Sequence, residues 1–426
     1  MTSKGPTEAF IWIHLPGRMA PVVAGRLYED GGRLSFNYGR SYLERNDAIP
    51  IYAPELPLRP GAQPPAPGLS MPACLRDATP DAWGRRVILN RKLGMKRKDV
   101  DVEQLDELTY ALESGSDRIG ALDFQASPEV YVPRQAEPAT LEELLTAAQR
   151  VEQGVPITPD LEQALFHGSA LGGARPKALI DDDDTQLIAK FSSSNDVYNV
   201  VKGEYVAMRL AALADLRVAP ARLVAAAGRD VLLVERFDRV REPDGWTRRA
   251  MVSALTLFGL DEMMGRYASY EDLAALVRQR FTQPVETLRE LFRRLVFSIL
   301  CGNTDDHARN HAAFWDGRFL ALTPAYDICP QGRSGNEASQ AMQILGRDRM
   351  SRLAVCLEAA RNFLLEPHEA EEIVVRQIKT VRERWAEVCD EAQLSEVDRR
   401  FFWRRQFLNP YAFEGAPDMI AKLADG

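Results

Sequence analysis

Apolar positions fall in short runs broken by Gly and Pro turns through the first half of the chain, and at helical spacing through much of the second. Residues 9–50 read as a β-meander, with β-prone runs at 22–27 and 33–38 around Glu29-Asp30-Gly31-Gly32, a hairpin turn signal. A Pro-rich stretch covers 50–72, and Thr79-Pro80-Asp81 is suited to start a helix carrying Trp83. Residues 128–138 are Pro-punctuated and lead into a predicted helix over 141–154. A Gly-rich turn at 168–174 then precedes a strand near 178–180, an acidic turn at 181–184 and a strand at 186–191. A helix is expected from about 200 to 215, followed by strands near 221–225 and 231–237. Beyond about 250 the pattern is helical, as in the stripe Val374, Ile378, Val381, Trp385 and Val388, with a hairpin inserted at about 312–323. No internal repeat is visible. The order implies an α+β protein in three parts: 1–125, a β-rich 126–250 and a helical 251–426.

Composition narrows the class. The 426 residues hold 46% hydrophobic and 27% charged residues, ordinary for a globular chain of two or three domains. With 53 Lys and Arg against 61 Asp and Glu the net charge is −8, so any DNA affinity is local or borrowed from a partner. The five cysteines are widely spaced without a CxxC, which fits reduced, buried thiols and argues against a zinc cage or disulfide framework. The run 9–15 contains His14, ends at Pro16-Gly17 and reads as a first strand, not a signal peptide. No run approaches a membrane span. A cytoplasmic location is expected.

The chemistry concentrates in Cys301-Gly-Asn-Thr-Asp305-Asp306-His307-Ala-Arg309-Asn310-His311 and, after a hairpin turning at Asp316-Gly317, in Pro324-Ala-Tyr326-Asp327. Phosphoryl transfer needs a carboxylate to receive the substrate hydroxyl proton and oxygen ligands for Mg²⁺. Protein kinases use a loop Asp, an Asn five residues later and a second Asp beyond a hairpin; Asp305, Asn310 and Asp327 have that order. A solvated polar loop is the plainer account of Asp305 and Asn310 alone, and the hairpin with its terminal Asp weakens it. Upstream, Gly172-Gly173-Ala174 before a strand lets backbone N–H groups approach phosphate. It is not a Walker A loop, because Ala174 stands where Lys is required. Lys190 ends the next strand, and Glu204 lies on the following helix with Met208 and Ala211 on one side. Residues 231–238 form a buried strand that turns polar abruptly, as a hinge offering backbone groups to adenine would. Taken together these parts follow the order of a protein-kinase site, a two-lobed protein-kinase-like fold.

Gly172-Gly-Ala-Arg-Pro-Lys177-Ala, Ala189-Lys-Phe191, Val234-Glu-Arg-Phe-Asp-Arg239, Thr304-Asp-Asp-His-Ala-Arg-Asn310 and Pro324-Ala-Tyr-Asp327 resemble the HipA family of bacterial toxin kinases. The N-terminal meander and Pro80-Asp81-Ala-Trp-Gly-Arg-Arg86 resemble that family's own N-terminal subdomain. The resemblance implies ATP and Mg²⁺ as cofactors, Asp305 as catalytic base with Asp306 its solvent-side neighbour, and Asn310 and Asp327 as Mg²⁺ ligands. It also implies that His307 and Tyr326 line the phosphate end and that Gly172, Gly173, Ala174, Arg175 and Lys177 cover the phosphates. Lys190 would contact them, supported by Glu204, while Glu235, Arg236 and Phe237 bind adenine through the backbone. Members phosphorylate a Ser on a cytoplasmic protein, in known cases an aminoacyl-tRNA synthetase, and so stall translation. They are neutralised by a helix-turn-helix antitoxin, HipB, which tethers them to operator DNA. They also autophosphorylate a Ser in the Gly-rich loop; that position falls on Ala170 here, with Ser169 adjacent. Asp327 is followed by Ile-Cys where ordinary protein kinases have Phe-Gly, so an aromatic flip does not transfer.

Competing readings are weaker. His307 and His311 are spaced like the pair of a zinc hydrolase, but Ala308 occupies the general-base position. Arg399-Arg400-Phe-Phe-Trp403-Arg404-Arg405 is better explained as a helix with solvated arginines than as a nucleic-acid contact, and residues 181–184 as a solvated turn than as a calcium loop. An inactive, ATP-binding co-repressor would keep the lobes and lose the chemistry, yet all three essential side chains are present. A small-molecule kinase would differ in where the phosphate goes.

Overall fold

The computed structural model describes residues 5–93, 105–134, 139–155, 173–182, 184–193 and 196–424. Gly172 and Ser169, with the rest of the 168–172 loop, lie outside the described residues, as do Asp183, Ser194 and Asn195. The chain divides into two units. One holds residues 1–196, 224–252 and 314–318, the other 197–223, 253–313 and 319–426.

In the first unit the meander forms as its turn signal requires. Gly31 and Gly32 both take positive φ (60° and 80°), a tight-turn conformation that glycine adopts without Cβ strain. They join β2 (Val22–Asp30) to β3 (Arg33–Tyr38), and β1 (Glu8–Ile13) pairs with β2 on its other side. A strand that the sequence pattern left unmarked, β4 (Leu122–Gln125), closes the sheet in the order β3-β2-β1-β4.

The second sheet is β5-β6-β8-β7, built from Lys177–Asp182, Thr185–Phe191, Arg229–Glu235 and Ala221–Ala226 for β5, β6, β8 and β7. Asp181 and Asp182 thus end β5, and Asp184 directly precedes β6. Two helices cover this sheet. α1 (Ala82–Leu93) begins after Asp81, and α2 (Leu141–Glu152) opens with a capping box in which Thr140 and Glu143 satisfy each other's backbone N–H. Trp83 and Val87 of α1 and Leu144, Leu145, Ala148 and Val151 of α2 share one core with Ala178, Leu187, Ala189, Phe191, Val231 and Leu233. Burying a tryptophan requires a partner for its N–H. Trp83 finds one in the Lys177 carbonyl, 3.1 Å away.

The second unit is helical. α3 (Val200–Leu213) is capped by the Asn199 side chain and packs on α6 (Pro367–Glu391), while α4 (Tyr270–Arg280) packs on α5 (Pro284–Cys301). The stripe read from sequence on α6 is the buried one: Val374, Ile378, Val381 and Val388 are enclosed, and Trp385 packs at a tilt against Trp403 and Phe407. α5 is buried throughout its last two turns, residues 295–301; it ends at Gly302, whose φ of 72° stops the helix. A Cβ there would lie 2.8 Å from the Gln406 carbonyl oxygen, so space and conformation both demand glycine. No described helix is long and apolar enough to cross a membrane.

Candidate active site

The end of α5 places the loop that carries the chemistry. After Gly302 the chain is held by Asn303 N–H donating to Ser298 O (2.8 Å) and by Ala341 N–H donating to Thr304 O (3.0 Å). The backbone then folds on itself: His307 N–H donates to Asp305 O and Asn310 N–H to His307 O, each 2.8 Å, and Ala308–Asn310 form one 3₁₀ turn. This turn brings the Asn310 amide back over Asp305, where Nδ2 donates to the Asp305 carbonyl at 3.2 Å. The amide's Oδ1 is therefore oriented as an acceptor, the atom a cation would use.

The hairpin returns the second acid to this loop. Strand Ala312–Trp315 is followed by Leu320–Leu322, and Thr323 N–H donates to Ala312 O at 3.0 Å. Tyr326 Oη donates to Arg309 O at 2.6 Å, tying the residue before Asp327 to the residue before Asn310. Asp327 itself takes φ 59°, a left-handed conformation that costs a non-glycine residue about 1 kcal/mol and that recurs at functional positions. The two acids feel each other. Partial burial raises the Asp305 carboxyl above its ordinary range; the His307 side chain opposes this, and the charges of Asp327 and Asp306 push the same way as burial. Asp305 remains open to solvent on one side, where a substrate hydroxyl can reach it.

The expectation for Asp306 is corrected. It is not the solvent-side neighbour of Asp305: only 5% of it is exposed. It accepts hydrogen bonds from the Tyr270 hydroxyl, from Ser298 Oγ (3.2 Å) and from His311 Nε2 (3.1 Å). A buried carboxylate without donors would be far too costly, so sequence adjacency to a solvated acid misled the reading. His311 is thereby committed to Asp306, which leaves no zinc pair with His307; among the described residues no cluster of three metal-binding side chains occurs.

The first unit holds the predicted phosphate and adenine groups. Lys177 and Lys190 stand directly opposite each other in the β5–β6 ladder, so both side chains leave the same face. Gly173 has φ 95°, a backbone conformation that favours glycine, and lies against the tip of the Lys177 side chain. Its N–H donates to Asp81 Oδ2 at 2.6 Å, and its carbonyl accepts from Trp83 N–H at 3.2 Å, so the segment before α1 holds the stem of the Gly-rich loop. Ala174 follows Gly173 in the same bend, and Arg175 pairs with Asp196 at 2.8 Å. Lys190 lies in this unit and Glu204 in the other. Glu204 is buried along with Met208 and Ala211, the side of α3 on which the sequence placed all three.

At the end of β8, Glu235 pairs with Leu187, and Arg236 N–H donates to Gln186 O at 2.8 Å. Arg236 therefore spends its amide within the sheet, and its guanidinium is buried against Asp117 (2.9 Å), Asp238 (2.9 Å) and the Arg118 carbonyl. Phe237 meets Phe314 edge-on with ring centres 6.0 Å apart. Arg239 also reaches Asp238, at 2.8 Å, and the Gly120 N–H donates to Asp238 at 2.7 Å. Burial alone would raise the Asp238 carboxyl, but Arg236 and Arg239 hold it down at about 2. The sequence reading missed this network. Its signal was the charge alternation in Arg236-Phe-Asp-Arg239 beside a buried strand, which called for buried counter-charges.

With this geometry in place, two family models match the chain: the HipA N-terminal domain over residues 18–125 and the HipA-like C-terminal domain over residues 169–385. The chain belongs to the HipA family. It is 26% identical to Y4mE of Sinorhizobium fredii over 335 residues, covering 72% of this chain and 74% of that protein. It is 25% identical to the serine/threonine-protein kinase toxin HipA of Shewanella oneidensis over 249 residues, 52% of this chain and 56% of that one. The solved complex of Shewanella oneidensis HipA with HipB and operator DNA matches with a TM-score of 0.66 and 20% identity, covering 92% of this chain and 93% of that one. That likeness concerns the fold, a mixed α+β kinase-like arrangement with a β-rich N-terminal part and a helical C-terminal part, as the sequence pattern implied.

Proposed function

We propose that this HipA-family kinase transfers the γ-phosphate of ATP to a Ser or Thr hydroxyl of a protein, and that the transfer arrests growth. The observation carrying this reading is the closed loop in which the Asn310 amide rests on the Asp305 backbone while Asp327, in a left-handed conformation, adds its charge beside them. Asp305 receives the proton of the acceptor hydroxyl as its oxygen bonds to the γ-phosphorus, and the bond to ADP breaks. Asn310 Oδ1 and the Asp327 carboxylate suit Mg²⁺, a hard cation that takes its remaining ligands from phosphates and water. When bound, that ion neutralises charge on the phosphates. Lys177 and Lys190 supply further positive charge, Gly173 to Arg175 cover the phosphates, and His307 and Tyr326 border them. The family resemblance gives Glu204, buried on α3, the role of supporting Lys190. Adenine rests on backbone groups between Glu235 and Phe237, with Arg236 acting as the anchor of that segment.

The likeness to a HipA bound to HipB and operator DNA supports a HipB-like helix-turn-helix antitoxin as partner, with DNA reached mainly through it. The net charge of −8 agrees with indirect DNA contact. Family resemblance favours an aminoacyl-tRNA synthetase as the protein substrate and residues 1–125, 126–250 and 251–426 as the working domains. All five cysteines are buried thiols outside any disulfide, which suits the reducing cytoplasm. Incubating the full chain with γ-labelled ATP, Mg²⁺ and bacterial extract tests the reading. Label is expected on Ser or Thr of a protein band; label confined to metabolites would indicate a small-molecule kinase, and ATP binding without transfer an inactive co-repressor.

A further inference from the structure

A carboxylate next to the catalytic one is buried and fully engaged, although phosphoryl transfer gives it no chemical step. Asp306 is gripped from three elements: Tyr270 opens α4, Ser298 lies in the last turn of α5, and His311 precedes the strand Ala312–Trp315. The Tyr270 hydroxyl and Ser298 Oγ both donate to Oδ2, and His311 Nε2 donates to Oδ1 at 3.1 Å. Tyr270 Oη, whose proton is spent on Asp306, also lies 3.3 Å from His311 Nε2 and can accept from it. Burial alone would raise the Asp306 carboxyl, but these donors hold it below its ordinary range, and burial together with Asp306 keeps the Tyr270 hydroxyl protonated. The set is a buried carboxylate that accepts a hydrogen bond from each of three elements.

Two features turn this anchor into a device. Asp305 and Asp306 are joined through one planar peptide unit, so holding the Asp306 side chain limits how far the Asp305 backbone can shift. The Asp306–His311 contact also spans Asn310, closing the segment that carries both the base and a metal ligand. We propose that Asp306, with Tyr270, Ser298 and His311, is a positioning residue that sets the aim of Asp305 for phosphoryl transfer. This inference rests on the kinase reading of the site. Phosphoryl transfer is almost wholly a matter of positioning, so a small loss of aim is expected to reduce rate far more than nucleotide affinity.

The test compares wild type with Asp306→Asn, which keeps the shape and removes the charge, and with Tyr270→Phe, which removes one hydroxyl. Three quantities are read: the single-turnover rate of label transfer from γ-labelled ATP to protein in extract, the Kd of Mg-ATP by calorimetry, and Tm. Asp306→Asn is expected to slow transfer on the order of 100-fold with Kd close to wild type, and Tyr270→Phe to slow it less, in the same direction. Loss of this buried carboxylate is expected to lower Tm as well, so rate and Kd are read at a temperature where the variant is folded, and a merely structural role would then leave the rate per folded molecule at the wild-type value. Asp306→Asn transferring as fast as wild type, or losing nucleotide binding in step with rate, overturns the inference and leaves the kinase reading standing. If Asp306→Asn does not fold, Tyr270→Phe decides by the same criterion. A wild-type chain that transfers no label overturns the kinase reading itself, and the inference with it.

Discussion

Asp305→Ala is expected to reduce the transfer rate by about 10²–10⁴-fold, the range that general-base catalysis contributes, while Mg-ATP affinity changes little. The cause lies in the loop geometry. Asp305 contributes its carbonyl to the Asn310 amide, and that contact belongs to the backbone and survives loss of the side chain. What disappears is the one carboxylate of the loop that is open to solvent, since Asp306 is enclosed and committed to three donors. Removing a negative charge near Asp327 also relieves repulsion, so nucleotide binding in the variant can tighten slightly. Single-turnover label transfer and calorimetry on the same preparations separate the two effects. A variant that retains wild-type rate would exclude Asp305 as the base.

The second large effect concerns stability. Asp238→Asn is expected to destabilise the fold by about 3–5 kcal/mol, because Arg236 and Arg239 are both buried and lose one of their carboxylates. The pH dependence follows from the sign of the shift. The Asp238 carboxyl is held at about 2 when folded, below the ordinary Asp value of about 3.9 in an unfolded chain. Its contribution is therefore present above about pH 4 and is lost as pH falls towards about 2, where the wild-type side chain becomes protonated. Denaturant midpoints of wild type and Asp238→Asn should lie far apart at pH 7 and converge below pH 4. A gap that stays constant with pH would mean the variant acts through packing and not through charge.

Local sequence carried much of the fold. The Gly31-Gly32 turn fixed the first hairpin because few residues tolerate its φ values, and the α6 stripe marked a buried face because its spacing matches the helical repeat. Of the candidate site, the order of Asp305, Asn310 and Asp327 was legible, since turn and hairpin signals link them. Non-local pairing was not. Strand β4 is four residues long and is defined by its partner β1, more than a hundred residues away in sequence. Asp306 looked like a solvated neighbour because its donors come from residues 270, 298 and 311, and no spacing rule joins those positions. Lys177 and Lys190 were each proposed as phosphate ligands, yet only the ladder register shows that they face each other. Arg236 was assigned to adenine by its place in a strand end, where burial makes it an ion-pair anchor.

The claim on which everything turns is that Asn310 and Asp327 hold one Mg²⁺ beneath the nucleotide phosphates. Calorimetric titration of a non-hydrolysable ATP analogue, with and without Mg²⁺, into wild type and Asp327→Asn tests it most directly; asparagine tolerates the left-handed backbone and removes only the charge. Wild type is expected to bind the analogue much more tightly with Mg²⁺ than without, and Asp327→Asn to lose most of that difference. Equal Mg²⁺ enhancement in the two proteins would contradict the assignment.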